Sequence, residues 1–174
     1  NPTFDKYNYK YGKLLLSKKD FCKKYGLEEN QKIALIATNF LIADRDIKNA
    51  KESFTDLKYV DEPMWIEFHE LVTKRREVYV ESVIKLAKKY PDVYFISKLH
   101  PREMNTYYVN KYDGIDNIHL FKNEENNFDF LNVSDILIFN NSTISLDSWL
   151  LDINKPTINL DLIERQKKYE LVLL

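Results

Sequence analysis

Five short apolar runs punctuate the chain, and between them the hydrophobic period becomes helical. The runs are Lys32 to Thr38 (KIALIAT), Val93 to Leu99 (VYFISKL), Ile118 to Phe121, Ile136 to Phe139 (ILIF) and Pro156 to Leu160. Continuous apolar character over so few residues suits strands covered on both faces. Ser17 to Tyr25 reads as a short helix, with Ser17 as N-cap, Asp20 at N3 and Gly26 as the stop. Pro63 to Tyr90 reads as a long helix, with Pro63 in its first turn. Its Trp65, Phe68, Leu71, Val72, Val78, Val83, Ile84, Leu86 and Ala87 recur on one broad face. Shorter helices are expected at Asn105 to Lys111, Phe128 to Val133 and Thr143 to Leu151. Asn39 to Glu62 has no consistent period and reads as a loop with at most a short helix. Strands alternating with helices predict an α/β fold, a Rossmann-like three-layer parallel sheet with right-handed crossovers.

At 174 residues, one domain over 1–174 is the expectation. The 26 basic and 27 acidic residues are interleaved and leave a net charge of −1. That balance gives no reason to expect a nucleic-acid partner. The single cysteine, Cys22, excludes an internal disulfide and a cysteine-based zinc site, and reads as a small buried residue in a reducing cytoplasm. Only three glycines occur, so the glycine-rich phosphate loops of dinucleotide and P-loop folds are absent. Gly12 and Gly26 read as helix ends. No nicotinamide, flavin or metal cofactor is expected. Asp44-Arg45-Asp46 has two acids at a metal-binding spacing, but its loop setting points to solvent or lysine contacts. His69 and His119 read as structural. No apolar run approaches the ~18 residues of a membrane span. The chain starts at Asn1-Pro2-Thr3 and stops within the apolar run Leu171 to Leu174, so a piece of a longer protein is expected.

Two segments carry chemistry. Lys98-Leu99-His100-Pro101-Arg102-Glu103 follows the second strand, and Asn140-Asn141-Ser142-Thr143 leads from the fourth strand into a helix. Ligands of open parallel sheets bind at the carboxyl ends of strands. Pro101 holds His100 extended at that rim. The imidazole there can donate to a phosphate oxygen, with Lys98 and Arg102 adding charge. Ser142 or Thr143 suits an N-cap, and the helix start behind it suits an anion. Each segment also has a plain reading: a polar strand-to-helix turn for His100, and capping alone for Ser142 and Thr143. Asp147, one turn into the helix, would complement the helix dipole or bind a ligand hydroxyl. The joint occurrence favours a phosphorylated ligand.

At these residues the chain resembles bacterial surface-carbohydrate biosynthesis proteins of GT-B architecture. Asn1-Pro2-Thr3-Phe4-Asp5 is similar to that family's Gly-Asn-Pro-Arg-Phe-Asp segment, with Thr3 in place of arginine. Ile36-Ala37-Thr38-Asn39-Phe40 is similar to its Ile-Asn-Thr-Asn-Phe strand end. Lys98 to Glu103 resembles its Arg-Pro-His-Pro-Ser-Glu motif. Asn140 to Pro156 resembles its Asn-x-x-Thr-x-x-Glu-Ala-x-x-x-Gly-Lys-Pro helix, with Asp147 for glutamate and Asn154 for glycine. An Asn154 in the left-handed region would replace that glycine.

The resemblance implies the C-terminal, donor-binding half of a GT-B glycosyltransferase that makes capsule or lipopolysaccharide. More distantly it includes sialyltransferases, Kdo transferases and glycerophosphotransferases. It implies a nucleotide-sugar, CMP- or CDP-linked, as substrate and no separate cofactor. His100 would be the catalytic residue. Lys98, His100, Arg102, Asn141, Ser142 and Thr143 would hold donor phosphate, and Asn39, Asp147 and Glu103 would contact ribose or base. The acceptor-binding N-terminal domain would be the missing partner. The location implied is the cytoplasm, at the inner face of the membrane through the rest of the protein. The competing expectation is a non-catalytic GT-B-like module for carbohydrate or protein, in which Tyr7, Tyr9, Tyr11, Tyr107 and Tyr108 would be exposed stacking residues.

Overall fold

The computed structural model describes residues 15–45, 62–122, 126–151 and 154–161. Its strands are β1 (Lys32–Ala37), β2 (Val93–Lys98), β3 (Ile118–Phe121), β4 (Ile136–Phe139) and β5 (Thr157–Asn159). Its helices are α1 (Lys18–Tyr25), α2 (Glu62–Lys89), α3 (Asn105–Tyr112), α4 (Asn127–Val133) and α5 (Ile144–Leu151). A short 3-10 turn, Leu41–Asp44, follows β1. The elements fall within a residue or two of the apolar runs and helical periods that predicted them.

All four strand pairings are parallel, in the order β3-β2-β1-β4-β5. The order makes this a Rossmann-like α/β fold, and it reverses between β1 and β4. That reversal opens a crevice at the carboxyl ends of the two strands.

β1 sets the two faces. Its Ile33, Leu35 and Ala37 pack with Phe21 of α1, Phe130 and Leu131 of α4 and Ile144 of α5. Its Ala34 and Ile36 pack with Tyr79, Val80 and Val83 of α2 and Tyr108 and Tyr112 of α3. Period-two alternation thus sends successive residues of one strand into opposite layers. Cys22 lies in the first cluster, fully buried. His119 of β3 stacks on Tyr94, ring centroids 4.0 Å apart and ring planes nearly parallel. His69 meets the Arg45 carbonyl oxygen at 2.8 Å.

The helix ends follow local chemistry. Ser17 Oγ accepts from the Asp20 N–H at 3.1 Å, and Gly26, at φ +68°, returns its N–H to the Cys22 carbonyl. Among the described residues no helix is long and apolar enough to cross a membrane.

The buried face of α2 differs from the sequence pattern at one stretch. Arg75, Arg76, Tyr79 and Val80 are buried there, while Val78 is only half-buried. The arginines are tolerated because each meets a carboxylate: Arg75 pairs with Asp161 at 2.9 Å and Arg76 with Asp44. Asp44 also accepts from the Met104 N–H at 2.6 Å, so an arginine and a backbone N–H stand where solvent or lysine contacts were expected. Tyr79 sends its hydroxyl to the crevice end of the sheet, 3.1 Å from both the Ala37 and Ile138 carbonyl oxygens.

Asp135, just before β4, ties α1 to the sheet. It accepts from both Lys18 Nζ (2.9 and 2.7 Å) and the Ile33 N–H (2.8 Å). Burial pushes its carboxyl up, but these donors and Lys32 outweigh that and hold it below 3.8. A group held low contributes stability above the unfolded value and loses it as pH falls through the folded one. Asp135→Ala should cost about 1–2 kcal/mol, the lower end reflecting solvent screening of the half-exposed pair, as read by urea unfolding at pH 7. The cost should shrink as pH falls through the folded carboxyl's own titration, below 3.8, where the wild-type group is itself protonated.

Candidate functional site

His100 to Glu103 forms a β-turn after β2: the Glu103 N–H donates to the His100 carbonyl at 2.9 Å. Pro101 at the second position presets the backbone for this turn. The Arg102 N–H donates to His100 Nδ1 at 3.2 Å, which fixes the ring against its own turn. The Glu103 side chain folds back and accepts from the His100 N–H at 2.8 Å.

The same carboxylate reaches the end of β1. It accepts from the Phe40 N–H at 2.6 Å, from the Thr38 hydroxyl, and from the Tyr108 hydroxyl at 2.8 Å. Glu103 is 1% exposed, and both its oxygens are committed to protein donors. It clamps two adjacent loops at the sheet's carboxyl end. The ribose or base contact expected of it is corrected to this structural role.

Across the crevice, Asn141 follows β4 at φ +45°, the one positive φ at a non-glycine residue among those described. Asn tolerates this region better than most residues. Its backbone N–H donates to Asn159 Oδ1 at 3.2 Å and its side chain to Asp161 at 3.0 Å. A left-handed residue thus stands at the head of α5, at Asn141. The kink turns the chain into α5. Ser142 Oγ accepts from the Ile144 N–H at 3.4 Å, and the Ser142 carbonyl from Ser145. The backbone N–H groups of Ser142 and Thr143 have no partner among the described residues.

The two turns face one cleft of about 320 Å³. Thr38, Lys98, His100, Ser142, Thr143 and Asp147 line it, together with Asn127 from the first turn of α4. Five residues singled out by sequence are thus brought together: Lys98, His100, Ser142, Thr143 and Asp147. Arg102 and Asn39 are exposed outside the cleft, and Asn141 is engaged behind it. Lys98 is buried and donates Nζ to the Lys122 carbonyl, so it offers the cleft a nearby charge from a fixed position. Asn127 was missed by sequence reasoning. Its signal was available: it opens the helix after β3, a third strand end on the same rim.

Burial lowers the His100 pKa, and the charges of Arg102 and Lys98 act the same way against the opposing pull of Glu103. This direction favours the neutral imidazole over the imidazolium at pH 7. Burial also lowers His119. Tyr108 is fully buried and Tyr107 lies half-buried beneath Arg76, 3.9 Å from ring centroid to guanidinium carbon, so neither is an exposed stacking residue. Tyr7, Tyr9, Tyr11, Gly12, Asp46 and the Asn1 to Asp5 segment lie outside the described residues.

Two outcomes follow from this geometry. Asn141→Ala should destabilise by about 1–2 kcal/mol through left-handed strain, and Asn141→Gly by less, in paired urea titrations. Stability should fall as pH drops below 6.5, because the unfolded chain protonates histidines that burial keeps neutral when folded. Urea midpoints unchanged from pH 7.5 to 5 would contradict this.

No protein-family model matches the chain, and no curated protein matches it. What the cleft binds therefore rests on its own chemistry.

Proposed function

We propose that this domain binds the phosphate of a nucleotide-sugar in the cleft between the β1 and β4 ends, as the donor half of a GT-B glycosyltransferase for bacterial surface polysaccharide. The observation that carries the reading is the convergence on one open cleft of His100, Ser142 and Thr143, the last two with backbone N–H groups that have no partner among the described residues. Backbone N–H groups at a helix start favour negative charge, and the α5 dipole adds to them. A volume of about 320 Å³ is at the small end for a ligand pocket, enough for phosphate and part of a nucleoside.

In this reading the sugar projects outward, toward the acceptor-binding domain of the full protein. During transfer the bond between the sugar's anomeric carbon and the donor phosphate oxygen breaks, and an acceptor oxygen bonds to that carbon. Charge then grows on the departing phosphate, where His100 and the α5 start are in place to stabilise it. Asp147, on the same cleft wall, would repel phosphate and so suits a ribose hydroxyl. The base that takes the acceptor's proton belongs to the other domain. CMP- and CDP-linked donors are favoured by the motif resemblance. That resemblance also sets the work of the full protein in the cytoplasm, beside the inner membrane face.

An open cleft with both turns facing it supports a donor site over a non-catalytic module, since the two described tyrosines that would favour the latter are covered.

Calorimetric titration of the chain with CMP, CDP, UDP and GDP is the test. Binding of a cytidine nucleotide at millimolar or tighter affinity is expected, and a folded chain that binds none at that level sinks the reading. In the full-length enzyme, His100→Ala should lower the transfer rate on the order of 10²–10³-fold. Near-normal turnover there would remove His100 from the mechanism.

A further inference from the structure

The His100 ring is held by the backbone of its own turn. Nδ1 accepts from the Arg102 N–H, so it carries a lone pair there. A neutral imidazole with its lone pair on Nδ1 carries its proton on Nε2. Nε2 has no partner among the described residues, and the ring lines the cleft. The turn that supplies the Arg102 N–H is closed at both ends by Glu103, through its backbone N–H and its carboxylate. That carboxylate is itself pinned by Thr38, Phe40 and Tyr108.

We propose that Glu103 is a positioning residue that holds His100 in its Nε2–H tautomer, an uncharged hydrogen-bond donor to a phosphate oxygen in the cleft. The ligand half of this statement rests on the phosphate-site reading above; the state of the ring does not. A second proton on His100 would sit on Nδ1 and confront the Arg102 N–H. The charged groups around the ring are divided. Glu103, tied to the Tyr108 hydroxyl, favours the imidazolium, whereas Arg102 and Lys98 oppose it. Asp147 shares the cleft from α5. With Nδ1 occupied, His100 steadies the departing phosphate by hydrogen bonding and gives up no proton to it.

Two-bond proton–nitrogen correlation spectra of the ligand-free chain at pH 7 read the tautomer directly, with His100→Gln identifying the His100 signals. A protonated Nε2 and a bare Nδ1 are expected. An Nδ1–H ring or an imidazolium overturns the proposal. In Glu103→Gln the amide turns an N–H toward groups that are themselves donors, so the His100 signals should average between tautomers. Glu103→Asp, which draws the carboxylate back by one methylene from the His100 N–H, is the parallel variant should the first fail to fold. A folded variant that keeps the wild-type pattern removes Glu103 from the positioning role.

CMP is the ligand probe. Glutamine carries an amide N–H to about the reach of Nε2, and asparagine only to that of Nδ1. His100→Gln should therefore bind CMP about tenfold more tightly than His100→Asn. Equal affinities would refute the Nε2–H donor. A wild-type chain with the expected tautomer but no CMP affinity would sink the phosphate site and the donor role together, while the positioning by Glu103 would stand on the spectra.

Discussion

β1 gives its backbone hydrogen bonds to β2 on one side and β4 on the other, and both of its faces to helices. A strand enclosed in this way has no route to water for an unpaired polar group, so its residues must be apolar and its neighbours complete. Ile33 through Ala37 meet that demand and are almost wholly buried. The order of the chain around β1 then does the rest. β2 and β3 extend the sheet one way, β4 and β5 the other, and the crevice forms where the two directions part.

The carboxyl end of β1 is where apolar character stops while burial continues. Thr38, Glu103, Tyr79 and Asn140 occupy that transition, and each is hydrogen-bonded, Asn140 by donating its side-chain N–H to the Leu160 carbonyl at 2.7 Å. Buried polar groups are tolerable only when satisfied, so this layer is as constrained as the core beneath it. It is also the floor on which the His100 turn and the α5 start stand. The site's rigidity thus comes from polar pairing just below it more than from the residues that face the cleft.

The strands and most of the helices were legible because each depends on a local signal: an apolar run, a cap, a period. The two cleft-facing turns were legible for the same reason, since each is a short segment with its own chemistry. What was not legible depends on partners far along the chain. Arg75 and Arg76 lie in a run of charged residues that looks solvated, yet their carboxylates are 86 and 32 residues away. Glu103 was read as a ligand contact because its motif neighbours carry phosphate-binding chemistry; its burial is decided by Thr38 and Phe40, more than 60 residues earlier. Tyr108 looked available for stacking because nothing local shows that α3 turns it inward onto that carboxylate. Asn127 was overlooked because it stands at a helix start with no unusual neighbours, and only the sheet brings it to the rim.

The consecutive arginines of α2 have a further consequence. Neighbouring residues on a helix point about 100° apart, so Arg75 and Arg76 reach different loops from a single turn. Arg76 holds Asp44, which also fixes the Met104 N–H beyond the His100 turn. Arg75 holds Asp161, which also fixes Asn141 at the head of α5. One stretch of helix thus braces both walls of the cleft. Loss of either carboxylate would take the ion pair from a buried guanidinium, so drift at Arg75 or Asp161, and at Arg76 or Asp44, is confined to paired exchanges. Among descendants of this chain these four positions should change two at a time, and the inherited width of the cleft should change with them.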